Sequence, residues 1–194
     1  MTEFENYLYF RKLLRICKNP EIIRNKDFKF FVENHFPNLE KYAESLENYH
    51  GIGHLIETVV FGIYLAHSLN IYNKEYIVIT CAYHDLIRNS ELNHGQESLE
   101  FIKNLGIQTN PYIDEAIINH TNNFPTTNPV LQILRDADRI RLSWERGYEE
   151  KYFSTKPGKR LAMKGLEAQR SLMNYLILCI LFQFHIVVYC LCCS

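Results

Sequence analysis

What this chain lacks narrows its function first. It has no excess of charge of either sign: 21 Lys and Arg stand against 22 Asp and Glu, a net of −1, so nothing electrostatic favours a nucleic-acid partner. The N-terminus carries Glu3 and Glu5 and no apolar run of the kind a signal peptide needs, which makes the cytoplasm the expected compartment. The 6 cysteines include no two CxxC pairs. Cys17 and Cys81 stand isolated in helical patterns and read as small core residues, while Cys179, Cys190, Cys192 and Cys193 crowd into the tail, so a structural zinc site is not expected. There is no internal repeat and no low-complexity tract. Gly51-Ile-Gly53 lacks the rest of any phosphate-cradling glycine fingerprint; its small residues let the chain pass close to its neighbours.

What is present is a chain of 194 residues, 47% of them hydrophobic. That is long enough for one domain with a substantial core and too apolar to be disordered. The periodicity reads as nearly all helix. Helices are expected over Phe4 to Cys17, over Asn25 to Asn34, from Asn38 to about Leu46 after an interruption at Pro37, and from His54 to Ser68. A turn at Asn70 to Asn73 precedes an apolar helix that ends at His84-Asp85. Arg88 to Asn93 reads as a loop, and His94 opens a helix that Gly106 stops. Asn110-Pro111 and Asn128-Pro129 each read as a helix start, with Asn as cap and Pro in the first turn. The segment Thr121 to Asn128 before the second of them is a loop.

Six side chains of metal-ligand type stand out against this background: His54, His84, Asp85, His94, His120 and Asp138. Val130, Ile133, Leu134 and Ala137 form an i, i+3, i+4, i+7 stripe, and Asp138, four residues after Leu134, extends that buried face. A carboxylate there must be paired, protonated or bound to metal, because an unpaired buried charge is very costly. His120 likewise shares the inward face of Ile113 and Ile117. His84-Asp85 ends the apolar run that starts at Ile77. Imidazole and carboxylate together suit Mn, Fe, Ni, Co or Zn, and the carboxylate oxygens also suit Mg. His35, His67 and His185 read instead as hydrogen-bonded core histidines, and Trp144 as packing.

The arrangement resembles a known family. His54, His84-Asp85 and Asp138, spaced 30 and then 53 residues apart, look like the H…HD…D signature of the HD superfamily of metal-dependent phosphohydrolases. His50-Gly-Ile-Gly-His54 is similar to the HGxxH opening of one bacterial branch, and Tyr83 to Arg88 to its YHDxxR. His94-Gly95 with Ser98 resembles its HGxxS, Ile117 to His120 its IxxH, and Leu134 to Asp138 its LxDAD. Tyr152 to Leu161 bears a looser likeness to a YxxTxxAxxL segment.

The resemblance implies an all-α, HD-domain-like helical bundle with a metal site between its helices. It implies one divalent ion, with a possible second, among His54, His84, Asp85, Asp138, His94 and His120, and hydrolysis of a phosphomonoester or phosphodiester, nucleotide-type in substrate, by metal-activated water. Asp85, Arg88 and His94 are the expected catalytic groups; His50, Arg88 and Ser98 are expected at the substrate. Arg88 stands where other branches carry a Glu able to act as base, and its guanidinium suits a phosphate. The alternatives are a sensing module that holds metal and nucleotide without turnover, and a phosphodiesterase acting on a modified protein.

The sequence divides into residues 1–47, N-terminal helices packed on the core; 48–170, the metal-binding domain; and 171–194, an apolar segment. Leu172 to Cys193 is long enough, at about 33 Å of helix, to cross a bilayer. Three readings of it stand open: a buried closing helix, a C-terminal membrane anchor preceded by Lys159, Arg160, Lys164 and Arg170, or an end unrelated to the fold. Oligomeric state is left open too.

Overall fold

In the computed structural model, which describes residues 26–42, 51–87 and 94–163, both Asn-Pro pairs start helices. Asn110 Oδ1 accepts hydrogen bonds from the backbone N–H of Tyr112 at 2.9 Å and of Ile113 at 3.1 Å. Asn128 Oδ1 does the same for Val130 at 2.9 Å and Leu131 at 3.3 Å. Each cap satisfies N–H groups that the first turn leaves without partners. Asn128 adds a second function, because its amide donates to Tyr112 O at 2.9 Å and Glu115 Oε2 at 3.1 Å, tying the two helices together.

In chain order the helices are α1 (Lys26–Asn34), α2 (Phe36–Tyr42), α3 (Ile52–Ser68), α4 (Lys74–Tyr83), α5 (His94–Asn104), α6 (Pro111–Asn119), α7 (Pro129–Arg146) and α8 (Lys156–Met163), with a 3-10 turn at Glu150–Tyr152. No strand occurs among the described residues. Two stops follow one pattern. Gly106 adopts φ +76°, and the N–H groups of Gly106 and Ile107 bond back to Lys103 O (3.0 Å) and Ile102 O (3.1 Å), a Schellman close that needs a left-handed residue. Asn70, at φ +55°, closes α3 likewise through Ile71 N–H to Ala66 O at 2.9 Å.

The core gathers around α3, which packs against α4 and α7 and buries Leu55, Ile56, Val59 and Ala66. Where α3 meets α4, a Cβ on Gly62 would lie 2.5 Å from Cys81 Sγ, so this crossing requires glycine. The expected α7 stripe of Val130, Ile133, Leu134 and Ala137 is buried in full, each large aliphatic side chain contributing roughly 1.5–3 kcal/mol. Phe31, Phe36 and Leu39 fasten α1 and α2 to the same core.

One boundary differs from expectation. Pro37 does not interrupt the chain before α2 but sits in its first turn, starting at Phe36. A first-turn proline gives up only an N–H that has no helical partner anyway. The expected helix Phe4 to Cys17, His50, the Arg88 to Asn93 loop, His185 and the whole 171–194 tail lie outside the described residues, as does the side chain of Trp144. Among the described residues no helix is long and apolar enough to cross a membrane.

Candidate metal centre

The ligand-type residues come from separate elements, and helix packing brings them together. His54 projects from the first turn of α3, His84 and Asp85 from the turn that ends α4, His94 from the start of α5, His120 from the end of α6, and Asp138 from the middle of α7. Their donor atoms fall into two groups. In the first, His54 Nε2 lies 3.3 Å from His84 Nε2, and Asp138 Oδ1 lies 3.2 Å from His54 Nε2 and 3.5 Å from His84 Nε2. In the second, His94 Nε2 and His120 Nε2 are 3.1 Å apart, and Asp85 Oδ1 is 3.2 Å from each. Asp85 belongs to both, since its other oxygen, Oδ2, faces His84 Nε2 at 3.8 Å. His54, His84 and Asp85 form one trio with metal-ligand spacing, and Asp85, His94 and His120 another.

Backbone carbonyls orient two of the rings. His84 Nδ1 lies 3.1 Å from Cys81 O, and His120 Nδ1 lies 2.7 Å from Ile117 O. A carbonyl only accepts, so each Nδ1 carries a proton, and each ring, once its Nε2 is free of one, turns that lone pair into the centre. Each of these lone pairs faces another imidazole Nε2 and a carboxylate oxygen. Such a convergence of acceptors calls for a cation or a proton in its midst.

The electrostatics agree. Burial opposes charge on His84, but Asp85 and then Asp138 outweigh it, and its pKa is raised above the usual imidazole value. Burial would raise Asp138, yet the hydrogen-bonding His54 and His84 hold it well below the usual carboxylate range. Cys81, fully buried beneath the site, is pushed up by burial and by Asp138 and stays a neutral thiol of the core, as expected. The donor set of imidazole nitrogens and carboxylate oxygens, arranged with carbonyl-oriented rings, fits a divalent transition-metal ion, and the shared Asp85 fits a pair of them.

Ser98 has a different task from the substrate contact expected of it. It is fully buried. Its hydroxyl accepts from Ile87 N–H at 3.0 Å and donates to Ile87 O at 3.2 Å, which pins the backbone just after Asp85 to α5. Gly95 helps bring α5 in, since a Cβ there would strike the Ile117 carbonyl of α6. Of the remaining substrate and catalytic candidates, His50 and Arg88 lie outside the described residues. His35 is buried with Nδ1 3.2 Å from the Tyr83 hydroxyl, a core histidine as read from the sequence. His67 is instead a surface residue, 46% exposed at its side chain and paired with Asp27 at 3.0 Å.

Several further residues support the site from behind. Asp136, fully buried, accepts from Ser154 N–H (2.7 Å), Thr155 N–H (2.8 Å) and Thr155 Oγ1 (2.6 Å), and Thr155 Oγ1 accepts from Gly158 N–H at 3.0 Å to cap α8. Gly158 stands at the alanine position of the looser motif, and a Cβ there would strike the Asp136 carboxylate. Arg135 and Arg139 reach from α7 to backbone carbonyls at the end of α6 and beyond it. The available signal was their charge: Asp136 and Arg135 lie within a helix whose neighbouring residues are core, and so must have partners.

Comparison with known proteins follows the same lines. Residues 51–142 match the family model described as the HD domain. A solved structure described as a predicted HD superfamily hydrolase, from an uncultured Thermotogales bacterium, shares the fold with a TM-score of 0.53 at 18% identity, over 72% of this chain and 88% of that one. No curated protein matches the sequence.

Proposed function

From the premise that this chain belongs to the HD superfamily, whose domain it carries at residues 51–142, we propose that it is a metal-dependent phosphohydrolase acting on a small phosphate ester of nucleotide type. The observation that carries the reading is the convergence of His54, His84, Asp85 and Asp138 on one point and of Asp85, His94 and His120 on a second. Divalent ions bound there would polarise a phosphoryl oxygen and acidify water for in-line attack.

The protein's own groups divide the remaining work. Asp138 and Asp85 supply negative charge that favours a cation over a proton. The carbonyls of Cys81 and Ile117 keep the His84 and His120 rings turned inward. Ser98 holds the backbone that follows Asp85. Arg88, three residues after Asp85 in the sequence, would supply in this proposal the cation for the non-bridging phosphate oxygens, and His50 a proton-transfer group.

The test pairs elemental analysis of protein purified without chelator with a screen of nucleoside monophosphates, nucleoside triphosphates and cyclic diesters under added Mn, Ni or Mg. Metal-dependent turnover, lost together with the metal in Asp85→Ala, is the expected result. Bound metal without turnover on any ester would instead make the chain a sensing module. A folded protein that takes up no metal on reconstitution would sink both.

A further inference from the structure

Two arginines one turn apart on α7 reach back to the end of α6, where His120 sits. Arg135 donates through Nη2 to Asn119 O at 3.0 Å and through Nη1 to Phe124 O at 2.7 Å. Arg139 donates through Nη2 to His120 O at 3.4 Å and through Nη1 to Tyr152 O at 2.9 Å. The last carbonyls of a helix have no partner within it and carry the negative end of its dipole, so guanidinium groups are suited to that position. Arg135 is 4% exposed, and a buried cation of this kind persists only where its hydrogen bonds hold it in place. With Asn119 and Phe124 both gripped by one side chain, the backbone that enters and leaves His120 is fixed relative to α7.

The same helix carries Asp138, which faces His54 and His84. Residues 135, 138 and 139 occupy one face of α7 by their spacing. One helix thus provides a ligand-type carboxylate to the first group of donors and grips the backbone that presents His120 to the second.

We propose that Arg135 and Arg139 are positioning residues for the second metal subsite, that of Asp85, His94 and His120, and that without them the second ion is lost while the first remains. The inference rests on the two-subsite reading above. Neither arginine touches a donor atom of either group in the hydrogen bonds described, so Arg135 would act through the backbone around His120, while Arg139 also acts electrostatically on Asp138 of the first group. Loss of outer partners of this kind typically weakens metal binding by about 10–100-fold.

The experiment titrates Mn into metal-free wild-type protein, Arg135→Gln and Arg139→Gln by calorimetry, with ion number checked by elemental analysis and folding by thermal melting. It also records the imidazole 1H–15N spectrum of each metal-free protein. Wild type is expected to bind two ions and to show His120 as the Nδ1–H tautomer. Each folded variant should lose at least about tenfold at the second ion and show a shifted or averaged His120 signal; Arg135→Gln should keep the first ion at wild-type affinity, and Arg139→Gln, which removes a cation acting on Asp138, should hold it at least as tightly. Lys103→Met, which removes the surface pairing to Asp114 on the same α6, should change neither. Arg139 is the less buried of the two, so it carries the test should Arg135→Gln fail to fold. Two ions bound as in wild type, or both weakened equally, would overturn the proposal. A wild type that binds one ion refutes the two-subsite reading instead, and an unaltered His120 spectrum in Arg139→Gln then refutes the clamp separately.

Discussion

Asp85→Asn is the substitution that discriminates most sharply. Asp85 sits between the two donor groups, with Oδ2 3.8 Å from His84 Nε2 and Oδ1 3.2 Å from Nε2 of both His94 and His120. Asparagine preserves the shape, removes the charge and replaces one acceptor oxygen with a donor. At an effective dielectric constant of about 20, a unit charge pair at roughly 3.2 Å is worth about 5 kcal/mol. A doubly charged ion gains more than that from the carboxylate. Relieving the buried carboxylate of its desolvation cost returns part of the loss, which leaves a net of about 3 kcal/mol, or roughly 100-fold in affinity at each subsite. Calorimetric titration with Mn, with elemental analysis and a thermal melt on the same sample, measures it. Asp114→Asn is the matched control, because its carboxylate pairs with Lys103 at 2.7 Å on the surface; it should leave metal binding unchanged and cost under about 1 kcal/mol of stability. A folded Asp85→Asn protein that binds both ions within about threefold of wild type, roughly 0.7 kcal/mol, would refute the reasoning. Loss of one ion alone would confine Asp85 to a single subsite.

Metal binding should strengthen as pH rises. The raised pKa of His84 means that a proton competes for its Nε2 above the ordinary imidazole value, so affinity should climb through neutrality and level off only past that raised value; calorimetry across pH 6 to 9, with proton release measured from buffers of different ionisation enthalpy, checks the sign. His35 works in the other direction on stability, because burial lowers its pKa to about 4 while the unfolded chain retains about 6.5. Between those values the unfolded state binds the extra proton, so stability falls as pH drops from 6.5 toward 4, by about 2 kcal/mol at pH 4.5. His35→Leu should flatten that part of a denaturant-melt pH series, and an unchanged slope would show that His35 is not held neutral. Asn128→Ala removes both the α7 cap and the brace to Tyr112 and Glu115; a loss of about 1–2 kcal/mol is expected in urea melts, and no measurable change would mean that water replaces both.

What could be read from the sequence was whatever is encoded locally. Helix starts at Asn110-Pro111 and Asn128-Pro129 rest on side chains that bond within three residues. The stop at Gly106 rests on one residue's freedom to reach φ +76°. The α7 stripe follows from the 3.6-residue period, and the H…HD…D order survives in any conformation. The helix after Pro37 starts two residues earlier than the expected Asn38, because a proline fits the first turn of a helix as well as it ends one.

Only the tertiary structure decided the rest. Whether His94 and His120 meet Asp85 depends on α5 and α6 closing to within one missing Cβ of each other at Gly95, a distance that no spacing in sequence contains. The same holds for Ser98, which looked like a substrate contact and is instead spent on the Ile87 backbone, and for Arg135 and Arg139, whose partners lie 11 to 19 residues away. By itself the sequence determined which groups are available for chemistry and on which helices they ride. Their convergence came from side chains that pack across helices, because helical periodicity says which way a residue faces within its own helix and nothing of what stands opposite.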